Sequence, residues 1–322
     1  MNGKIIVTIS MLAVAVMACD KDSTDDDTTQ SPDAGLYMSG YAYLGRAVYW
    51  NNGREVDLGA AFNTTDIAVS GSDVYVLGNI GFALPAGGTA NAAVYWKNGE
   101  MVRLGSDPSY ANALTVSGKD VYVCGYAMIN NLYVAAYWKN GEVHALSDLP
   151  HSGANAMLVE GPDVYIAGMA GSNGDLAVYW KNGTMVSLGQ GVASGLAMHG
   201  ADLYVSGTTS AGAVYWKDGV QQILYVPEDT ITTRTSTSGI AVSGSDVYVI
   251  GYINGIQAAL WKNGAMSLLN NPSVAMNLSG NKNRIIIQDT SVYISFNTAE
   301  YWKNGRVIHA GNGYASSIAL KE

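Results

Sequence analysis

Few residues of this 322-residue sequence have the types and spacing that catalysis or metal binding needs. The histidines show neither an HxH nor an HExxH pattern, and they are His144, His151, His199 and His309. No glycine-rich segment precedes a helix, which argues against a phosphate-binding loop and a nucleotide cofactor. Glu228 and Asp229 are adjacent acids, and the sequence leaves open whether paired acids for glycoside cleavage meet in space. We therefore predict no catalytic residue, no metal and no cofactor.

One set of acids recurs at a fixed position before VYV-like segments. Its members are Asp73, Asp120, Asp163, Asp202 and Asp246. An Asx side chain that caps its own turn explains this position better than a calcium ring or catalytic carboxylates do. The recurrence is the more informative feature, because it marks a repeat.

All seven tryptophans lie in one repeated motif with the core YWKNG, and they are 36–46 residues apart. This period is typical of a β-propeller with one four-stranded blade in each repeat. Adjacent Tyr and Trp side chains on a strand point to opposite faces, so each is expected to pack against a different neighbouring blade. An aromatic platform for sugar stacking is the alternative, but seven copies in one local context favour packing. The residues are Trp50, Trp96, Trp138, Trp180, Trp216, Trp261 and Trp302.

Each repeat contains the signals of four strands and no helical periodicity. IAVSG and DVYVxG are short runs separated by a glycine-containing turn, and the Asn-Gly pair of YWKNG predicts a second hairpin. The chain from residue 35 begins inside a repeat and ends at Leu320 in a segment that matches a first strand. The sequence predicts an all-β, seven-bladed propeller over residues 35–322, with the first blade closed by the C-terminal strand. In the last repeat, Ile285–Ser295 is preferred over Ala275–Asn281 as the source of the first strand.

The predicted strand order places the variable connections together on one face of the disc. We expect ligand binding there, because variable loops on a rigid scaffold commonly carry binding residues. Drift of loop sequences is the alternative. The longest connections are Asn79–Asn91, Ala127–Val134, Asp148–Gly153, Tyr225–Thr237 and Asn270–Arg284.

Candidate ligand-binding residues fall into two groups. Small polar residues head the innermost strands and form a ring at the channel mouth: Thr65, Asn112, Asn155, Ser194, Ser238 and Ser316. Either this ring holds a small ligand or ion, or its members are small because strands crowd there and water satisfies their polar groups. The second group comprises aromatic or basic residues of the variable connections: Phe82, Tyr110, Tyr133, His151 and Arg234.

The N-terminus has the pattern of an exported protein. Lys4 precedes the apolar run Ile5–Val16, which is shorter than the roughly 20 residues of a membrane-spanning helix, and small residues precede Cys19. This arrangement resembles a bacterial lipoprotein box. The resemblance implies a signal peptide over residues 1–18, lipidation of Cys19 and a lipid anchor in the outer membrane. Residues 19–34 are acidic and polar, and we predict a disordered tether there.

Two further resemblances concern location and repeat family. The acidic run after Cys19 resembles the surface-export signal of Bacteroidota lipoproteins, with a spacer on a periplasm-facing lipoprotein as the alternative. From residue 36 onward, YWxNG and LG followed by IAVSG and VYVxG resemble the HAF-type extracellular repeats of bacterial secreted proteins. That resemblance implies an exported repeat domain and no particular activity.

Charge and architecture together favour a binding module at the cell surface. A formal net charge of −9 gives no electrostatic reason to bind nucleic acid. We predict a non-enzymatic surface lipoprotein that captures a glycan or a protein partner on its variable face. The alternative is a polysaccharide-active lyase or hydrolase with its site at the channel mouth.

Overall fold

The computed structural model describes residues 31–43, 45–60, 63–84, 87–105, 108–224, 234–255, 257–269, 284–296 and 298–321. The elements within these ranges are 27 β-strands. None of the described residues belongs to a helix with the length and apolar character to span a bilayer. The predicted signal peptide, Cys19 and most of the predicted tether lie outside the described residues, as do Glu228, Asp229 and Ala275–Asn281.

Five sheets contain four antiparallel strands each, as the repeats predict. Sheet B consists of β4 (Asn63–Ser70), β5 (Asp73–Ala83), β6 (Thr89–Lys97) and β7 (Glu100–Arg103). Sheet C consists of β8 (Ser109–Ser117), β9 (Asp120–Ile129), β10 (Leu132–Lys139) and β11 (Glu142–Ala145). Sheet D consists of β12 (Gly153–Glu160), β13 (Asp163–Ala170), β14 (Leu176–Lys181) and β15 (Thr184–Gln190). Sheet E consists of β16 (Val192–His199), β17 (Asp202–Thr209), β18 (Gly212–Lys217) and β19 (Val220–Ile223). Sheet F consists of β20 (Thr235–Ser243), β21 (Asp246–Ile253), β22 (Gln257–Lys262) and β23 (Ala265–Leu268).

Sheet A has seven strands and joins the two ends of the described chain, in the order β24-β25-β26-β27-β1-β2-β3. Its strands are β24 (Ile285–Gln288), β25 (Ser291–Ser295), β26 (Thr298–Lys303), β27 (Arg306–Leu320), β1 (Leu36–Ala42), β2 (Arg46–Asn51) and β3 (Arg54–Ala60). The first part of β27 pairs with β26, and its last part pairs with β1 from Tyr314 to Leu320. The C-terminal strand therefore completes the sheet that the N-terminal strands begin.

The first strands of successive sheets contact one another in a closed circle. Contacts run from β4 to β8, β12, β16, β20 and β24, and then through β27 back to β4. The turns between first and second strands and the Lys-Asn-Gly turns share one face of this ring, here called the turn face. The connections between second and third strands lie on the opposite face, here called the loop face.

Two of the predicted loops on the loop face are extended hairpins instead. Within Asn79–Asn91, strand β5 continues to Ala83 and β6 begins at Thr89. Within Ala127–Val134, only Asn130 and Asn131 form the turn, and both have positive φ angles of 52° and 64°. Such a two-residue turn matches the twist of paired strands, so hydrogen bonding continues to its edge. The loop face is thereby more rigid than the sequence predicts.

The core lies between sheets, and the Tyr-Trp pair of the third strands, replaced by Leu260-Trp261 in sheet F, contributes to two of its layers. Trp138 of sheet C is 2% exposed and belongs to the same apolar cluster as Tyr95 of sheet B. Tyr137, the neighbour of Trp138, belongs instead to the cluster of Trp180 in sheet D. Six of the repeat tryptophans are at most 2% exposed, and Trp302 is partly buried.

The recurring aspartates do not cap their own turns, which corrects the Asx-turn prediction. The carboxylate of Asp73 accepts hydrogen bonds from Asn98 Nδ2 at 2.8 Å and pairs with Lys97 Nζ at 2.8 Å. The Asn98 side chain caps the strand instead, because its Oδ1 accepts the Val74 amide. Lys97 also lies over the Tyr75 ring, 5.3 Å from its centroid. The Asp-Lys pair recurs in the other four-stranded sheets at Asp120–Lys139, Asp163–Lys181, Asp202–Lys217 and Asp246–Lys262.

In sheet A the same lysine position obtains its carboxylate from elsewhere in the chain. Lys303 Nζ pairs with Asp33 Oδ1 at 2.6 Å, and Tyr301 Oη donates to Asp33 Oδ2 at 2.8 Å. Ser291 stands where the other sheets have aspartate. Asp33 therefore fixes the N-terminal end of the described chain to the turn face.

Replacing Trp138 by alanine should lower the free energy of unfolding by about 3–5 kcal/mol, because a buried aromatic side chain is removed between two sheets. Urea unfolding followed by tryptophan fluorescence measures this change. Val143→Ala, at a side chain that is 45% exposed, is the control and should change stability little. Equal stabilities of both variants would contradict the packing role of Trp138.

Stability should fall as the pH drops below about 4. Hydrogen bonds from Lys97 and then Asn98 lower the pKa of Asp73, and the equivalent Lys and Asn lower the pKa of Asp163 and of Asp246. A carboxyl whose pKa is lower in the folded state stabilises it above the unfolded-state pKa and ceases to do so as pH falls through the folded-state value. The free energy of unfolding, measured with urea, should fall between pH 7 and pH 3 in the wild type. It should fall less in the triple variant Asp73→Asn, Asp163→Asn, Asp246→Asn. An equal loss would assign the acid sensitivity to other groups.

Candidate ligand-binding site

The predicted polar ring occupies a β-bulge that recurs in the first strands. In sheet C, Ala111 pairs with Gly125 and Ala113 pairs with Cys124, so Asn112 between them is the extra residue. The same register shift skips the other ring members: Thr65, Asn155, Ser194, Ser238 and Ser316. The glycine opposite the bulge is required by close approach, since a Cβ on Gly125 would lie 1.9 Å from the Tyr110 carbonyl oxygen. The bulge turns each ring side chain away from the hydrogen-bonded strand pair of its own sheet.

Several ring side chains form hydrogen bonds to the first strand of the next sheet. Asn112 Nδ2 donates to the Ala154 carbonyl at 2.8 Å, and Asn155 Nδ2 donates to the Ala193 carbonyl at 2.9 Å. The hydroxyls of Ser194 and Thr237 are 2.7 Å apart, and those of Ser316 and Thr64 are 3.0 Å apart. These bonds join neighbouring sheets around the ring.

The remaining ring members deviate from this pattern. Ser238 Oγ donates within its own sheet to the Ile250 carbonyl at 3.4 Å. Thr65 Oγ1 is buried and has no hydrogen-bond partner among the described residues. At the junction of sheets B and C, Asn79 takes over the bridging role, because its side chain bonds both the amide and the carbonyl of Ala111.

A central cavity of about 430 Å³ lies along the axis and is lined by residues from all seven strands of the closed circle. Two charged residues occupy one level of its wall, where the other strands carry Ala, Gly or Ser. The carboxylate of Asp66 accepts a bond from Arg284 Nη1, one from Ser317 Oγ at 2.7 Å, and one from the Leu114 amide at 2.9 Å. One buried carboxylate thus connects four adjacent strands of the circle, and its charge is paired.

A second cavity, of about 800 Å³, opens on the loop face between sheets C and D. Three tyrosines of sheet C form its aromatic wall. The rings of Tyr110 and Tyr126 are stacked, with centroids 5.5 Å apart and an interplanar angle of 6°. Tyr133 meets Tyr126 edge-on at 5.8 Å and is itself 43% exposed. We call this surface the loop-face cavity.

The polar groups of the loop-face cavity are neutral amides and an imidazole. Asn91, Asn131, Asn173 and His151 contribute to its wall. Within the described part of the chain, no hydrogen bond uses these four side chains. The lining residues within the described ranges include no aspartate, glutamate, lysine or arginine. The cavity therefore offers aromatic faces and free hydrogen-bonding groups without charge.

Tyr110 and Tyr126 remain protonated at neutral pH. Burial raises the pKa of both phenols above the ordinary value of tyrosine. Asn63 Nδ2 donates a hydrogen bond to Tyr110 Oη at 2.6 Å, and Asn79 Nδ2 donates to Asn63 Oδ1 at 3.0 Å. This chain of amides fixes the Tyr110 ring in its stacked position.

The structure brings together five of the eleven predicted ligand-binding residues, because the loop-face cavity is lined by Tyr110, Tyr133, His151, Asn112 and Asn155. His151 has a positive φ of 61°, an uncommon conformation for a residue other than glycine that occurs at turns and functional sites. Arg234 lies apart in sheet F, where it is exposed and its amide bonds Asn254 Oδ1. Phe82 is also outside the cavity, and the Arg103 guanidinium lies 4.8 Å from its ring centroid.

The sequence did not single out Tyr126, Asn63, Asn79, Asp66 or Arg284. Tyr126 follows the VYVCG segment directly, at a position that holds other residue types in most repeats. A departure from the repeat was the available signal for all five residues. To predict the site from these departures, one must also know where the bulge lies, because the bulge determines which side chain faces which neighbouring strand.

Comparison with solved structures identifies the fold. The β-propeller domain of the trilobed protease from Pyrococcus furiosus matches with a TM-score of 0.50 and 10% identity, over 88% of this chain and 95% of that one. Apo AztD from Citrobacter koseri matches with a TM-score of 0.41 and 11% identity, over 89% and 97% of the two chains. The lectin of Aleuria aurantia in complex with α-methyl-L-fucoside matches with a TM-score of 0.44 and 10% identity, over 77% and 96%. At such identities the likeness concerns the fold alone, and this chain is a β-propeller.

No protein-family model matches the chain, and no curated protein sequence matches it significantly. The resemblance to HAF-type repeats and to Bacteroidota lipoproteins therefore stays a prediction.

Asn155→Ala should lower the free energy of unfolding by about 1–3 kcal/mol, because the buried carbonyl of Ala193 loses its donor from the neighbouring sheet. Ser238→Ala is the matched control, since its hydroxyl bonds within one sheet at 3.4 Å and should matter less. Urea unfolding of both variants makes the comparison. A smaller effect for Asn155→Ala than for Ser238→Ala would contradict the bridging role.

Proposed function

We propose that this chain is a seven-bladed β-propeller that binds a carbohydrate ligand in the loop-face cavity. The number of seven blades follows when sheet A is divided into two blades. One blade consists of β24–β26 and the first part of β27, and the other consists of the last part of β27 and β1–β3. Seven inner strands around the central cavity support this division. Seven core clusters, one for each gap between neighbouring blades, also support it.

The single observation behind the ligand class is the combination of tyrosine faces and free amides in an uncharged cavity. The apolar face of a sugar ring packs on an aromatic ring, and its hydroxyls exchange hydrogen bonds with neutral amides. Tyr126 and Tyr133 supply ring surface, whereas Asn131 and Asn173 supply donors and acceptors. A rigid tyrosine loses little conformational entropy on binding, which favours its use as an anchor.

We propose binding without catalysis. Glycoside cleavage by acid and base uses two carboxyl groups on opposite sides of the scissile bond, separated by roughly 5–10 Å. Among the described residues, none that lines the loop-face cavity is a carboxylic acid. Two carboxyl groups line the central cavity, Asp66 and Glu160, and Asp66 is engaged by Arg284, Ser317 and Leu114. These observations favour the binding module over the lyase or hydrolase.

The proposed location is the outer membrane, with a lipid anchor at Cys19 and the disc at the cell surface. The position of Asp33 supports the use of the loop face for capture. Asp33 is bound to Lys303 and Tyr301 on the turn face, and the Pro32 ring packs near Gly53 of the same face. A chain that reaches the disc from a lipid anchor at this point leaves the loop face turned away from the membrane.

Tyr133→Ala should weaken carbohydrate binding by at least about tenfold, because it removes an exposed stacking face without disturbing the buried core. The full chain with Cys19→Ala, which removes the predicted lipidation, is applied to a glycan array and to mucin. Positive sugars are then titrated by calorimetry. Ile223→Ala, an exposed apolar residue on the outer strand β19, is the control and should bind as the parent does. Failure of the parent to bind any sugar, with an intact fold, would refute the proposal.

A further inference from the structure

Sheet A contains a second tyrosine cluster. Its paired residues occupy the same register as the Tyr110–Tyr126 pair of sheet C. Tyr314 pairs with Tyr41 one residue before the aligned Ala-Gly pair, just as Tyr110 pairs with Tyr126. The ring centroids of Tyr314 and Tyr41 are 6.0 Å apart. Tyr43 meets Tyr314, the first-strand member, edge-on at 6.3 Å, whereas Tyr133 meets the second-strand Tyr126 in sheet C. Each sheet therefore carries three clustered tyrosines, two of which are in equivalent register.

Sheet B separates the two clusters and carries an amide pair at the equivalent positions. Asn63 pairs with Asn79 in sheet B at the register that the Tyr110–Tyr126 pair occupies in the neighbouring sheet C. The strand β4 contacts β27 on one side and β8 on the other, so the three positions are consecutive around the ring. Asn63 also donates to Tyr110 Oη at 2.6 Å, which links the amide pair to one cluster. Asn79 is fully buried and Asn63 is partly exposed, so Asn63 is the amide that lies at the surface between the two tyrosine clusters.

This arrangement is not a requirement of the repeat. The pairs at the same register in sheets D, E and F are Gly153–Met169, Val192–Thr208 and Ser236–Tyr252. The bulge and its glycine form in those sheets without a tyrosine pair. Packing of the scaffold therefore does not explain the two clusters, whereas it does explain the tryptophans, which recur in every repeat.

The outer tyrosines of both clusters are open to solvent. Tyr314 is 45% exposed, Tyr43 is 64% exposed and Tyr133 is 43% exposed. Exposed aromatic side chains held in place by tilted or edge-on contacts with neighbouring rings lose little entropy when a ligand covers them. A polar segment between two aromatic surfaces matches a ligand whose hydrophobic faces alternate with hydroxyl groups.

We propose that the two tyrosine clusters and the intervening Asn63 side chain form one track that binds a linear, neutral oligosaccharide across sheets A, B and C. This inference rests on the proposed carbohydrate function and extends it from a single sugar to a chain. Separate sugar units stack on the Tyr314 cluster and on the Tyr126–Tyr133 cluster. Two weak sites on one ligand raise the affinity through effective concentration, so affinity depends on chain length.

The test titrates the full Cys19→Ala chain with ladders of neutral gluco-, manno- and galacto-oligosaccharides, from monosaccharide to hexasaccharide. In the ladder that binds, the hexasaccharide should bind at least about tenfold more tightly than the shortest sugar that binds. Tyr314→Ala should abolish this gain while leaving the affinity for the shortest sugar unchanged. Tyr314→Phe retains the ring and should retain the gain. Tyr133→Ala should weaken the binding of both short and long sugars.

The outcomes separate this inference from the function on which it rests. Affinity that does not depend on length, or a hexasaccharide affinity that Tyr314→Ala leaves unchanged, overturns the track and leaves a single sugar site in the loop-face cavity. Absence of binding to every ladder and to the array, with native unfolding behaviour, overturns both proposals and favours a protein ligand. Circular dichroism of each variant establishes that the fold is retained.

Discussion

Every sheet of this molecule is packed on both of its faces, and the Tyr-Trp pair of the third strands, replaced by Leu260-Trp261 in sheet F, is the contact that makes this possible. Because the two side chains of a pair point in opposite directions, one strand fills the gap to the sheet before it and the gap to the sheet after it. Tyr137 and Trp138 show this arrangement in sheet C. Burial on two faces also explains why charged residues are only 13% of the chain, against roughly 25% in typical domains.

Comparison of equivalent positions in the repeats distinguishes residues that the scaffold requires from residues that need a functional explanation. A residue that recurs from sheet to sheet is explained by what those sheets need, as with the tryptophans of all six sheets and the bulge glycines and Asp-Lys pairs of the five four-stranded sheets. A residue that departs from the repeat needs its own explanation. Asp66 and Arg284 depart from it to connect strands around the axis. The tyrosines of sheets A and C depart from it on a surface where the scaffold does not require them.

Much of the fold follows from periodicity and turn chemistry. The four-stranded sheets, the pairing of the C-terminal strand with β1 and the strand at Ile285–Gln288 all agree with the sequence-based expectations. The candidate site was harder to predict from the sequence than the fold. The polar ring was recognised as a set, but the hydrogen bond from Asn155 to the Ala193 carbonyl depends on a bulge whose position shifts the register by one residue. Tyr126 belongs to the site because the bulge at Asn112 sets the register in which Tyr110 lies opposite it.

The attachment of Asp33 has a mechanical consequence. A pull on the chain before Ser31 reaches the disc where Asp33 bonds Lys303 and Tyr301, and it continues into β1. Strand β1 is hydrogen-bonded along both edges, to β27 and to β2. Tension along its axis therefore loads many of these bonds in shear at the same time and does not open them one after another. The seam where the two ends of the described chain meet is thus the place where the disc bears a load applied to its N-terminal end.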